Sequence, residues 1–220
     1  MSDLSRRLAA EAAGTGLLVA TVVGSGLMAE RLTGDVALQL LCNALATAAM
    51  LGVLICLLQP ISGAHFNPVV SVVMALRRAM GWRDAGAYGA AQVLGGIAGT
   101  WLAHAMFNEP VLQIASTVRW GAGQWLAEGV ASFGLVAVIL LGRRSATPVL
   151  VAAYIGAAYW FTASTSFANP AVTIARMFTD SFAGIRPGDG AAFIAAQLVG
   201  GLLAMAAVAW LSPQAQRANS

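Results

Sequence analysis

Ser62-Gly63-Ala64-His65-Phe66-Asn67-Pro68-Val69-Val70-Ser71 has a counterpart in the second half of the chain, Ser164-Thr165-Ser166-Phe167-Ala168-Asn169-Pro170-Ala171-Val172-Thr173. Asn is a favoured helix N-cap and Pro a favoured first helical residue, so each Asn-Pro pair predicts a helix start. From Asn67 to Arg78 is about 12 residues, or about 18 Å of helix, which is half a bilayer. Both segments therefore read as re-entrant half-helices. Their irregular lead-in loops are tolerated at membrane depth only where they line a cavity inside protein.

The surroundings make membrane depth the correct frame. The 220 residues are 59% hydrophobic and only 10% charged, with a mean hydropathy of +0.76, against about 25% charge in soluble domains. This composition excludes a disordered chain. A net charge of +3 is also far short of the basic patch that nucleic-acid binding requires. Apolar segments at 8–29, 36–58, 86–107, 122–142, 147–166 and 189–211 each approach the ~20 residues of a spanning helix. The expected fold is an all-α membrane protein with six transmembrane helices and two half-helices, forming one domain over 1–220. The first apolar segment is too long to read as a cleaved leader. Cys42 and Cys56 share one apolar stretch and read as small core residues.

Other pairs extend the repeat: Gln92-x-x-Gly95-Gly96 with Gln197-x-x-Gly200-Gly201, and Glu11 with Glu128. Three spans per half is an odd number, so the halves, roughly 1–107 and 122–211, must be inverted relative to each other. Inverted repeats place their site near the midplane. The chain has arginines and no lysine. Arg6, Arg7, Arg77, Arg78, Arg83, Arg143, Arg144 and Arg217 fall on one side, and Arg31, Arg119, Arg176 and Arg186 on the other. The positive-inside rule then makes both termini cytoplasmic.

In an inverted pair the two half-helix N-termini meet at the membrane centre, each carrying about half a positive charge. Asn67 and Asn169 would offer amide N–H groups there. Gly63, Ala64, His65 and Thr165 would offer carbonyls on either side. Such a path welcomes a small neutral hydroxylated solute and repels cations, so passive conduction is expected. A secondary active transporter of a small polar solute is the alternative, since it also uses inverted repeats and broken helices. It would usually need ionisable groups at its substrate site. No enzyme motif, metal-ligand spacing or cofactor motif emerges.

On these motifs the chain resembles the aquaporin and glycerol-facilitator family, the major intrinsic proteins, over essentially its whole length. The resemblance rests on Ser62 through Val69, on Asn169-Pro170-Ala171, and on the paired Glu11/Glu128 and Gln92/Gln197. It implies one pore per subunit and a homotetramer in the bilayer, here a bacterial inner membrane. It also implies a central motif of Asn67, Pro68, Val69, Asn169, Pro170 and Ala171, and a selectivity filter at Thr47, Ala157, Ser166 and Val172. Two departures stand out: Val69 where Ala is usual, and Val172 where the family has an Arg. A wide, uncharged filter follows. The combination looks like a bacterial subgroup found beside arsenic-detoxification genes, which suggests water, glycerol and metalloids such as arsenous acid or organoarsenicals as permeants.

Glu11 and Glu128 read as braces that accept backbone N–H bonds from the re-entrant loops, with Gln92 and Gln197 beside them; a proton relay is the other reading. His65 would pack and lend its carbonyl, or act as a pH gate. His104 reads as a hydrogen-bonded core residue. Arg176, one helical turn beyond Val172 on the same face, either reaches the outer vestibule or pairs with Asp180 at the surface.

Overall fold

The computed structural model describes residues 3–212; Arg217 and the C-terminal end of the chain lie outside the described residues. Among the described residues eight helices follow in order: α1 Asp3–Leu32, α2 Val36–Ser62, α3 Pro68–Leu76, α4 Trp82–Phe107, α5 Ala122–Leu141, α6 Thr147–Phe161, α7 Pro170–Arg176 and α8 Pro187–Leu211. Helices α1, α2, α5 and α8 are long and apolar enough to cross a bilayer unaided, α4 runs for 26 residues, and α6 is shorter at 15. The apolar run at 147–166 is thus not one helix. Thr162 turns extended (φ −107°, ψ 132°), and the rest of the run becomes the loop leading into α7.

The half-helices are shorter than the sequence predicts: α3 has nine residues and α7 has seven. Arg77 caps α3, and Arg78 leaves the helix at φ 62°. Pro68 and Pro170 occupy first positions, with the Asn before each accepting from backbone N–H groups as N-cap.

Packing follows the repeat. Helix α1 lies along α4, and α5 along α8, each pair crossing where a glycine removes the obstacle. A Cβ on Gly95 would sit 2.1 Å from the Ala12 carbonyl oxygen, and one on Gly200 would sit 2.1 Å from the Gly129 oxygen. The backbones touch directly, as small-residue crossings in membranes do. Leu18, Val19, Val22 and Val23 of α1 enter the main core beside Leu51, Leu54 and Ile55 of α2. On the outside, Leu94, Leu126, Val149 and Trp210 are among many exposed apolar side chains, a surface suited to lipid and unsuited to water. Cys42 and Cys56 belong to this exposed surface and not to the core. Fourteen residues is almost four whole turns, so both fall on the same outer face of α2. His104 is buried, with Nδ1 against the Val111 carbonyl and Nε2 against the Thr179 hydroxyl, both at 2.9 Å.

Gly95→Ala should destabilise the protein by about 3 kcal/mol through overpacking, read as a fall in thermal unfolding temperature in detergent. Gly86→Ala, on an exposed face of the same helix with nothing near its Cβ, should cause no loss, since Ala favours a helix over Gly by about 1 kcal/mol.

Candidate functional site: a cavity between the half-helices

One cavity of about 510 Å³ extends from Arg7, Arg77 and Arg144 at one end to Thr47, Tyr159 and Arg176 at the other. Its apolar wall is made of i,i+4 stripes, one per helix: Leu51 and Ile55 from α2, Leu135 and Ile139 from α5, Val151 and Ile155 from α6. Its polar face is the pair of re-entrant loops.

The loops are shaped by two buried carboxylates. Glu11 Oε1 accepts from the Ser62 hydroxyl (2.6 Å) and the His65 N–H (3.0 Å), and Oε2 accepts from the Phe66 N–H (2.7 Å) and the Gln92 amide (2.8 Å). Glu128 repeats the set with the Ser164 hydroxyl (2.6 Å), the Phe167 N–H (2.9 Å), the Ala168 N–H (2.8 Å) and the Gln197 amide (2.5 Å). All four acceptor directions of each carboxylate are in use, which is the arrangement that makes a charged group tolerable in the interior. The amides of Gln92 and Gln197 also reach Ser71 Oγ (3.2 Å) and Thr173 Oγ1 (2.9 Å), tying each half-helix to the same carboxylate.

The loops they hold are left-handed at Ala64 (φ 51°), Phe66 (48°), Thr165 (60°), Ser166 (53°) and Ala168 (49°). Side chains there are costly unless the surroundings over-determine them. The result is a reciprocal lock: Asn67 Nδ2 donates to the Ala168 carbonyl and Asn169 Nδ2 to the Phe66 carbonyl, both at 2.7 Å. Asn67 Oδ1 accepts from the Val69 N–H (2.9 Å), and Asn169 Oδ1 from Ala171 (2.9 Å) and Val172 (3.3 Å). One amide hydrogen of each Asn is thus committed across the repeat, and the second remains for the cavity that both residues line.

The other residues singled out from sequence fall on both sides of the wall. Gly63, Ala64 and His65 line the cavity, whereas Thr165 is only half-buried and stands behind Ser166 and Phe167, which line it. Pro68, Val69, Pro170 and Ala171 are turned away from it. Val69 points into Gly201 of α8, where a Cβ would approach its Cγ1 to 2.3 Å. The departure from the usual Ala is therefore taken up by helix packing and leaves the cavity wall alone. Val70 and Met74 of α3, and Val172 and Arg176 of α7, are the symmetric wall positions.

At the outer end, Thr47, Ser166 and Val172 line the cavity, but Ala157 does not: it lies on the exposed face of α6. Tyr159 lines the wall instead, its hydroxyl donating to Thr47 Oγ1 at 3.2 Å. The spacing Val151, Ile155, Tyr159 is the i,i+4 signal that identifies this residue, and counting from the Asn-Pro motifs misses it. Arg176 is not paired with Asp180. It is buried, donates through Nε to the Ala183 carbonyl and lies over the Phe167 ring. Asp180 stays at the surface, where the Ser116 backbone N–H and hydroxyl hold its carboxyl below its ordinary range.

His65 Nδ1 lies 3.1 Å from Ser71 Oγ. Because that hydroxyl already donates to the Asn67 carbonyl (3.3 Å), its remaining role is acceptor. Satisfying both bonds therefore puts the histidine proton on Nδ1. The ring packs edge-on against Tyr88 at 5.4 Å.

An inverted repeat of half-helices meeting at an internal cavity, inside a helix bundle with an apolar exterior, is the architecture of a membrane channel. Residues 1–162 match the family of major intrinsic proteins. The chain is 60% identical over 212 residues to aquaglyceroporin AqpS of Rhizobium meliloti (strain 1021), covering 95% of this chain and 91% of that one. It is 32% identical over 171 residues to a probable aquaporin, PIP2-8, of Oryza sativa subsp. japonica, covering 71% of this chain and 61% of that relative. The X-ray structure of the aquaglyceroporin from Plasmodium falciparum superposes with a TM-score of 0.73 at 19% identity, over 97% of this chain and 99% of that one. The chain belongs to the major intrinsic protein family and is an integral membrane channel protein.

Two outcomes check this geometry. Gly201→Ala should destabilise by about 2 kcal/mol through collision with Val69, and Val69→Ala should restore most of the loss, giving a coupling of about 1–2 kcal/mol in a double-mutant thermal-unfolding cycle. Glu128→Gln turns an amide N–H₂ against a donor and should cost about 1–3 kcal/mol, with solute flux in vesicles falling in parallel.

Proposed function

We propose that the protein conducts small uncharged solutes passively, water and glycerol-like molecules among them, through the cavity between α3 and α7. The observation that carries this reading is the centre of that cavity. Two helix N-termini face each other across locked Asn side chains, and Glu11 and Glu128 are each saturated by four donors behind the loops. Neither carboxylate is left free to couple an ion gradient. Donors at the middle and backbone carbonyls before it let a solute exchange its water a bond at a time, while the helix dipoles oppose cations.

The substrate range follows from the outer constriction of Thr47, Tyr159, Ser166 and Val172. Val172 leaves short apolar space where the family carries a guanidinium, and the hydroxyls of Tyr159, Thr47 and Ser166 suit a small polyol. Neutral arsenous acid, a compact triol, and methylated arsenicals belong to the same size and hydrogen-bonding class. The 60% identity to an aquaglyceroporin supports the polyol end of this range. The assembly is taken to be a homotetramer in a bacterial inner membrane, with the N-terminus in the cytoplasm. Arg31, Arg119, Arg176 and Arg186 outside against seven described arginines inside carry the bias that supports this orientation.

Stopped-flow flux in proteoliposomes tests the reading with water, glycerol, arsenous acid and methylarsenate. Flux linear in the solute gradient, independent of any ion gradient and of low activation energy is expected; saturable, ion-coupled uptake would indicate a secondary transporter. Val172→Arg should lower glycerol and arsenous acid flux about tenfold, the equivalent of about 1.4 kcal/mol of barrier, and water flux less. Unchanged flux of the larger solutes would remove position 172 from the constriction.

A further inference from the structure

Arg176 lines the outer cavity without a counter-ion. The ion pairs among the described residues join Arg7 to Asp84, Arg31 to Glu109 and Arg186 to Asp189. The acids of the outer loops are otherwise engaged: Asp180 by Ser116, Glu30 by the Phe182 N–H, and Asp189 by Arg186 and the Arg119 N–H. Arg176 is only 2% exposed. Its Nε is held by the Ala183 carbonyl, and its Cζ lies 3.4 Å from the centroid of the Phe167 ring, which leaves its Nη1 and Nη2 amines with no acceptor among the described residues. The Phe167 ring that carries it is fixed in turn by the Phe167 N–H on Glu128 and by Phe193 at 5.3 Å.

One further observation points to the cavity side, and a second adds positive charge behind the same ring. Ser166, 3% exposed and lining the same cavity, has a buried hydroxyl with no hydrogen-bond partner. Arg119 places a second guanidinium 5.0 Å from the same ring; its donors go to the Gly184, Phe182 and Ser164 carbonyls and to no carboxylate. Two positive charges thus share one aromatic ring, and the carboxylate that acts on both, Glu128, has its oxygens taken by four other donors and bonds to neither guanidinium. A buried cation keeps its charge at low cost only when an acceptor completes it, and a guanidinium fork is shaped for two oxygens of one group.

We propose that the Arg176 fork and the Ser166 hydroxyl form an oxyanion site in the outer part of the pore, and that a tetrahedral oxyanion of the phosphate or arsenate class binds there from the outer face and obstructs neutral solute flux. The short side chain of Val172, one turn inward of Arg176, leaves the space. Beyond it the wall turns apolar at Leu51, Ile55 and Leu135, where an anion would have to shed its water unaided. Binding without passage follows. The site rests on the channel reading above and is not the usual arginine position, since it lies on the next turn of α7. The inverted repeat carries Met74 at the equivalent place, so the charge is specific to the outer half.

Glycerol efflux from proteoliposomes is measured with inorganic phosphate added outside at constant ionic strength, and chloride as control. About 1 mM phosphate should remove about half of the flux if the site has a Kd of about 1 mM, whereas chloride should not. Arg176→Met should raise the half-inhibiting phosphate concentration about tenfold or more, Arg176→Lys less, and Ser166→Ala about threefold. Phosphate should also raise the thermal unfolding temperature of the detergent-purified wild type, and this shift should vanish in Arg176→Met. Glycerol flux that is indifferent to phosphate, or inhibition equal in wild type and Arg176→Met, overturns the site. An absence of glycerol flux altogether would overturn the channel reading alone, because the phosphate-dependent thermal shift reports the site independently.

Discussion

Everything at the centre of this molecule depends on two carboxylates that never touch the solute path. Glu11 and Glu128 each gather two backbone N–H groups, one hydroxyl and one amide. Without them the loops at 63–67 and 164–169 would have no reason to hold five non-glycine residues at positive φ. Those backbone turns aim the Phe66 and Ala168 carbonyls at the opposite Asn, and the two cross-repeat bonds then hold the half-helices N-terminus to N-terminus. The chain of cause runs from a buried charge, through strained backbone, to a fixed dipole arrangement. Each step is repeated in both halves, so the pore is built from one device used twice.

The departures from that symmetry matter more for selectivity than the symmetry itself. Gly96 and Gly201 are counterparts, yet a Cβ on Gly96 would meet Ala175 at 3.1 Å, while one on Gly201 would meet Val69 at 2.3 Å. The bulk that Val69 adds relative to Ala171 is absorbed by the missing side chain of Gly201. Substitution inside the Asn-Pro motif therefore changes how α3 seats on α8 and leaves the bore untouched. Met74 and Arg176 differ in the opposite sense, since both line the cavity and one of them is charged.

The repeat, the re-entrant helices and the braces were legible because each is written in short-range chemistry: Asn before Pro, an acid deep in an apolar segment, paired glycines. What distance counting missed was set by which way a helix face turns. Ala157 was expected in the wall, but α6 ends at Phe161, and its inward stripe is Val151, Ile155 and Tyr159. Cys42 and Cys56, which their apolar stretch alone reads as core residues, lie almost four turns apart on the outer face of α2. For Arg176 the sequence offered an i,i+4 acid, Asp180. The chain leaves the helix after Arg176, so the spacing that would make the pair does not persist. Asp180 turns to Ser116 while the guanidinium is enclosed by the Ala183 carbonyl and the Phe167 ring.

Moving a positive charge from position 172 to position 176 separates two tasks that one arginine would combine. Four residues of helix are about 6 Å along the axis. Positions 47, 166 and 172 then carry only hydroxyls and a short apolar group, while the charge stands one turn of α7 beyond Val172. Arg176 and the two half-helix N-termini set positive charge at two levels along the cavity, an arrangement that opposes a cation. A neutral solute meets no such electrostatic barrier. Selection by charge and selection by size can therefore be tuned at separate residues.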